Sequence, residues 1–196
     1  MNKETKSFYN RFSLFYPMVD ILLKPQKKVL FNEINNLPDG KLLEIGAGNG
    51  SHFKYYKKHQ VTAIDTSEAM LKTAKERCSE NINILKMDGE TLLFEAEMFD
   101  YVVLSHVIAV VKNPDKLLEE ILRVLKPNGF VFILNHFTPN NWLKYIDRSF
   151  QKISGMFHFR SVFYITDLQT IKQYVLFKEI HFGMASYFKL LIYKKK

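Results

Sequence analysis

Cysteine is nearly absent. Cys78 is the single one in 196 residues, which excludes an intrachain disulfide and fits a reducing, cytoplasmic setting. No stretch approaches the roughly 20 uninterrupted apolar residues that a membrane-spanning helix needs. Near the N-terminus, Asn10, Arg11 and Ser13 break the apolar run, which reads against a secretory leader. Histidines are few, and His52, His59, His158 and His181 are scattered without metal-ligand spacing, so no metal is expected. Internal repeats and low-complexity linkers are also lacking. An apolar content of 47% excludes disordered and collagen-like chains.

What is present is enough chain for one domain with a sizeable core, and a net charge of +8. A basic balance favours attraction to nucleic acid or to an anionic membrane face, or is simply a solvated lysine-rich surface. Part of the excess lies in the tail Lys194-Lys195-Lys196. Charge alone does not choose among these.

The opening 6–36 reads as helical. Phe8, Phe12, Phe15, Val19, Leu22 and Leu23 recur at helical spacing, and Pro17 and Pro25 predict two or three short helices. Beyond the turn Pro38-Asp39-Gly40, short apolar runs alternate with amphipathic segments. Strands are expected at 41–45, 61–64, 82–86, 100–104 and 130–134. Helices are expected at 49–58, 67–78 and 113–125, with Ser67 as an N-cap. This alternation predicts an α/β domain with a mostly parallel sheet covered on both faces. After Asn135 the rhythm changes: 141–154 and 167–175 look helical. Segments 178–182 and 188–193 look like an antiparallel hairpin around Gly183.

The strongest local signal is Glu44-Ile45-Gly46-Ala47-Gly48-Asn49-Gly50, placed directly after the first strand. Three alternate glycines let the backbone turn sharply and let a ligand approach without Cβ clashes. Asp65 ends the second strand, where a carboxylate can accept both hydroxyls of a ribose. A dinucleotide loop spaces its glycines G-x-G-x-x-G and offers a helix N-terminus to a pyrophosphate. Here the third glycine comes one residue early, and Glu44 would repel a pyrophosphate. The same carboxylate suits a ligand carrying an ammonium or sulfonium group.

This run resembles the first motif of class I S-adenosylmethionine-dependent methyltransferases. Ile64-Asp65-Thr66-Ser67-Glu68-Ala69-Met70-Leu71 is similar to their second motif, and Met87-Asp88-Gly89 to the segment that brackets the adenine. Phe99-Asp100-Tyr101-Val102-Val103 and Leu125-Lys126-Pro127-Asn128-Gly129-Phe130 resemble the approaches to the fourth and fifth strands. The resemblance implies a Rossmann-like fold: a seven-stranded, mostly parallel sheet with an antiparallel C-terminal hairpin and an N-terminal helical lid. Within one domain, 1–36 would be lid or membrane-contact segment, 41–135 the cofactor core, and 136–196 the substrate-side helices and hairpin. It further implies S-adenosyl-L-methionine as cofactor. Gly46, Gly48 and Gly50 would line its methionine part, Glu44 would face its ammonium, and Asp65 would hold the ribose. Thr66, Met70, Asp88, Gly89 and Ser105 would border the nucleoside.

Ser105-His106-Val107-Ile108-Ala109-Val110-Val111, Ile133-Leu134-Asn135-His136-Phe137 and the opening Tyr9-Asn10-Arg11-Phe12-Ser13-Leu14-Phe15-Tyr16 resemble bacterial phosphatidylethanolamine N-methyltransferases. Quinone C-methyltransferases share parts of these segments. The opening departs from the usual pattern, with Asn10 and Pro17 where aspartates are expected. His106 and His136 follow the fourth and fifth strands, at the sheet edge where ligands of open α/β sheets bind. Each is a candidate to accept the proton of a substrate amine or to bind a lipid phosphate. Tyr16 is a candidate to close over the site. The N-terminal segment and 142–160, with Trp142, Phe150, Phe157 and Phe159 among Lys144, Arg148, Lys152 and Arg160, suit either a bilayer interface or a lid packed on the sheet. The resemblance therefore implies a phospholipid substrate, peripheral contact with the anionic inner face of the membrane, a monomer, and no nucleic-acid partner. No Asn/Asp-Pro-Pro-Tyr motif follows the fourth strand. A small soluble molecule or a quinone remains the alternative acceptor.

Overall fold

In the computed structural model, the described residues are 16–137, 164–183 and 188–196, with side chains described from residue 25 onward in the first stretch. The expected helix 141–154, the aromatic and basic segment 142–160, and Tyr9 lie outside the described residues. Seven strands form one mixed sheet: β1 (Lys41–Ile45), β2 (Gln60–Asp65), β3 (Ile82–Lys86), β4 (Phe99–Ser105), β5 (Leu125–His136), β6 (Tyr174–Phe182) and β7 (Phe188–Lys195). Their order is β3-β2-β1-β4-β5-β7-β6. The first five are parallel, and β7 pairs antiparallel to both β5 and β6. This matches the expected mostly parallel sheet with a terminal antiparallel hairpin.

Both faces of the sheet are covered, which explains the near-continuous apolar reading of its central strands. Leu43, Ile45, Val102 and Leu104 pack with Leu117, Leu118 and Ile121 of the helix α3 (Pro114–Val124). On the opposite face, Leu42 and Val103 pack with Leu30, Phe31 and Ile34 of α1 (Tyr16–Asn35) and with Ala74 of α2 (Glu68–Lys75). The caps follow the sequence logic. Ser67 accepts from the Met70 amide, and Asn113 from the Lys116 amide with Pro114 opening the helix.

Four expectations are corrected. The prolines do not divide α1, which runs unbroken from Tyr16 to Asn35 with Pro25 inside it. Pro17 falls in the first turn, where a missing N–H is no loss. The buried Leu30, Phe31 and Ile34 anchor the half beyond Pro25. Second, no helix covers 49–58; it is replaced by a single 3-10 turn, Phe53–Tyr55. The side chain of Asn35 explains this. It donates to the Tyr55 carbonyl at 2.9 Å and accepts from the Lys57 amide at 3.2 Å, taking two backbone groups that a helix would need. Third, 167–175 forms two 3-10 turns, Ile165–Asp167 and Thr170–Gln173. Ile165, Leu168, Ile171 and Tyr174 are all buried, a spacing of three that matches the 3-10 repeat rather than 3.6. Fourth, two strands start well before their expected first residues. β5 begins at Leu125, directly after α3, and β6 at Tyr174. β6 also carries a bulge, its register shifting between Leu176 and Lys178.

Removing the side chain that caps 53–57 tests this account. Asn35→Ala is expected to lower stability by about 1–2 kcal/mol, one modest hydrogen bond on each side of the amide. Chemical denaturation measures it, and an unchanged midpoint would refute the role given to Asn35.

Candidate functional site

The carboxyl ends of β1, β2 and β4 meet at the centre of the sheet, where strand order reverses and where open α/β sheets bind ligands. The loop after β1 turns there with Gly46, Gly48 and Gly50 at φ of 79°, 56° and 66°. Side chains rarely adopt that region. A Cβ on Gly46 would collide with Val107, just past β4, and one on Gly50 would lie 2.7 Å from the Phe53 ring. The loop is tied to β2. The Gly46 and Ala47 amides both donate to the Ile64 carbonyl, at 2.8 and 3.0 Å.

Asp65, at the end of β2, accepts from the Gly48 amide through Oδ2 at 2.9 Å and from the Ser67 amide through Oδ1 at 2.8 Å. Each oxygen keeps acceptor capacity for a further donor. Burial raises the Asp65 carboxyl above its ordinary 3.8; the Ser67, Gly48 and Thr66 amides oppose the rise, and the Glu44 charge adds to it. Glu44 is therefore near enough to be felt electrostatically at Asp65. It is only 1% exposed. Its Oε1 lies 2.6 Å from His52 Nε2, while Oε2 is buried with no hydrogen-bond partner. Beside it, the Tyr56 hydroxyl is also buried without a well-aligned partner. Burial first, and then the Glu44 carboxylate, push that hydroxyl well above its usual range.

The other expected cofactor residues ring the same edge at different depths. Thr66 is exposed, and Met70 is half-buried in the first turn of α2. Asp88 is exposed just past β3 and accepts from the Glu90 amide at 3.0 Å. Gly89 is buried in the scaffold: a Cβ there would lie 2.7 Å from Ile45 Cγ2 and 2.9 Å from Leu117 Cδ1. Ser105 ends β4 with its hydroxyl buried and without a partner.

On the substrate side, His106 adopts a left-handed φ of 60°, a conformation that costs a β-carbon residue on the order of 1 kcal/mol and clusters at functional sites. Its amide donates to the Leu134 carbonyl at 2.7 Å. His136 ends β5, buried, opposite Phe188 in the β5–β7 ladder. The His106 ring meets the Phe188 ring edge-on at 5.9 Å. The two histidines thus converge on one phenylalanine. The backbone of Tyr16 opens α1, and its side chain lies outside the described residues.

Sequence reasoning missed three participants. His52 passed as one of several scattered histidines. Tyr56 and Phe188 carry no local signal of a role at the site. Among the described residues, no group of histidine, cysteine or acidic side chains could hold a metal.

Residues 43–133, a little under half of the chain, match a family model described as a methyltransferase domain. S-adenosylmethionine is the cofactor that the resemblance implies. The chain is 36% identical over 108 residues to the phosphatidylethanolamine N-methyltransferase of Cereibacter sphaeroides, covering 52% of this chain and 53% of that protein. It is 31% identical over 140 residues to the human thiol S-methyltransferase TMT1A, covering 66% and 56%. The chain therefore spans little more than half the length of these relatives. In fold, it resembles a Thermotoga maritima S-adenosylmethionine-dependent methyltransferase, described as a possible histamine N-methyltransferase, with a TM-score of 0.75 at 20% identity over 97% of this chain and 99% of that one.

The residues present fit such a cofactor. The unpartnered Glu44 Oε2 and Ser105 Oγ, and the spare acceptor capacity of Asp65, suit a ligand rich in N–H and O–H donors. The raised Asp65 carboxyl gives opposite pH trends for fold and ligand. Its contribution to apo stability is full below the ordinary 3.8 and is lost as pH rises through the raised value. Ribose hydroxyls donate to the ionised form, so cofactor affinity should weaken as pH falls through that same raised value. Calorimetric titration across acidic pH should show this weakening begin above the ordinary carboxylate range, and Asp65→Asn should flatten it. A wild-type affinity that is independent of pH in that window would contradict the assignment.

Proposed function

We propose that this protein transfers methyl groups from S-adenosylmethionine to the amine of phosphatidylethanolamine and its mono- and dimethyl forms, toward phosphatidylcholine. The observation that supports methyl transfer is that the acidic glycine loop, His106 and His136 stand at the carboxyl ends of the neighbouring strands β1, β4 and β5. The lipid amine is supported by the similarity to a phosphatidylethanolamine N-methyltransferase over 108 residues.

Bound S-adenosylmethionine supplies a methyl group on a cationic sulfur, open to in-line displacement by a lone pair. Glu44 balances positive charge at the methionine end, and Asp65 accepts from the ribose. Thr66, Met70, Asp88 and Gly89 border the nucleoside, and Ser105 offers a hydroxyl beside it. A primary amine is mostly protonated at neutral pH and must lose a proton before its nitrogen can attack. The imidazole of His106 or His136 takes that proton or holds the lipid phosphate. Alignment does most of the remaining work. Tyr16 closes over the site in this reading. The protein works as a monomer in the cytoplasm, on the anionic inner face of the membrane, without a nucleic-acid partner. No helix among the described residues is long and apolar enough to cross a membrane, so the contact proposed is peripheral.

A second reading is a small acceptor, a thiol or a quinone. The longer match to a thiol S-methyltransferase favours the thiol.

Labelled S-adenosylmethionine, vesicles with and without phosphatidylethanolamine, and a soluble thiol in parallel decide between them. Label is expected in methylated phosphatidylethanolamine, and His106→Ala should lower that turnover by about 100-fold, the usual size of a proton-transfer contribution. Label confined to the thiol or another soluble product would discard the lipid reading.

A further inference from the structure

Glu44 belongs to the glycine loop, yet its nearest partner is a residue that the loop motif does not include. His52 Nε2 lies 2.6 Å from Glu44 Oε1. A carboxylate only accepts, so toward an ionised Glu44 the imidazole Nε2 carries the proton and donates it. The pair is well shielded, at 8% and 1% exposure.

His52 is in turn gripped by aromatic rings. Phe31 of α1 stacks on it at 5.6 Å and 27°, and Phe53 meets it edge-on at 5.3 Å. Phe31 also packs edge-on against Tyr56 at 4.9 Å. The lid-side helix, the 3-10 turn and the glycine loop therefore meet at one imidazole. The second carboxylate oxygen, Oε2, is buried without a hydrogen bond of good geometry, and the Tyr56 hydroxyl beside the carboxylate is the one nearby protein donor, itself poorly aligned. A buried carboxylate oxygen so poorly satisfied can accept a further donor, and an ammonium matches its charge.

We propose that His52 is a positioning residue for the amino-acid end of the cofactor: it holds the Glu44 carboxylate in place through Oε1, so that Oε2 remains available to an ammonium. This rests on the methyltransferase reading above. Without His52, the buried carboxylate would lose the contact that fixes its orientation, and Oε2 would no longer be held toward the ligand. It would then attract an ammonium far less.

Two ligands isolate this effect. S-adenosylhomocysteine carries the amino-acid end, and methylthioadenosine carries the same nucleoside without it. Calorimetry on the full chain should show His52→Phe, which keeps an aromatic ring beside Phe31, weakening S-adenosylhomocysteine by about tenfold or more, the scale of one charge-assisted hydrogen bond. Methylthioadenosine should change by less than about twofold, since it makes no contact with Glu44. His52→Gln, which restores an N–H donor, should recover much of the loss. Equal weakening of both ligands would reduce His52 to a structural role and overturn the proposal, as would no change in either. If the wild-type protein binds neither ligand, the cofactor reading itself fails. Nitrogen NMR of the wild-type imidazole decides the same question without a variant. The His52 Nε2 signal should move with S-adenosylhomocysteine and stay still with methylthioadenosine; movement with both, or with neither, counts against the proposal.

Discussion

The carbonyl of Ile64 is the hinge of the site. It receives two consecutive amides, from Gly46 and Ala47. A chain leaving β1 can present both to one acceptor only by turning abruptly, and the turn needs the left-handed φ values of the glycines. One residue on, Asp65 takes the Gly48 amide. The end of β2 thus shapes the loop that follows β1, and the parallel register of the two strands, Ile45 opposite Ile64, makes this possible. The approach of Val107 to Gly46 follows from it.

Much of this was legible in the residue order. The alternation of apolar runs with amphipathic segments located the five parallel strands, and Ser67 and Asn113 sit where capping chemistry requires. What escaped was decided by side chains reaching across the fold. The expected helix over 49–58 is undone by Asn35, twenty residues upstream of Tyr55, a distance no periodicity registers. The expected helix over 167–175 is undone by a spacing of three that resembles 3.6 over so short a span. The prolines misled in the other direction, because tertiary burial of Leu30, Phe31 and Ile34 outweighed one lost hydrogen bond.

At the site, the acidic and glycine positions were readable because their chemistry is local: a sharp turn needs glycine, and a ribose needs an acceptor. His52 was not readable. Its significance lies in an encounter with Glu44 produced by the turn between them and by a ring from α1. The convergence of His106 and His136 on Phe188 was equally hidden, since β7 reaches β5 only after a long excursion of the chain. A related contrast holds for charge. The chain carries +8 overall, yet Glu44, Asp65 and Asp88 gather at the ligand edge, so the field a bound molecule feels is opposite in sign to the one that acts at long range.

The bulge in β6 has a bearing on how the molecule behaves among its own copies. β6 is the outermost strand on its side, and Val175, Leu176 and Phe177 are exposed on it, Phe177 at 64%. A straight strand of that composition would be a template for another chain to add to the sheet. The register shift between Leu176 and Lys178 interrupts the row of amides and carbonyls just there, twists the edge, and is followed at once by a lysine. Three greasy side chains can therefore stay in water without inviting fibre growth, a safeguard that a single deletion restoring the even ladder would remove.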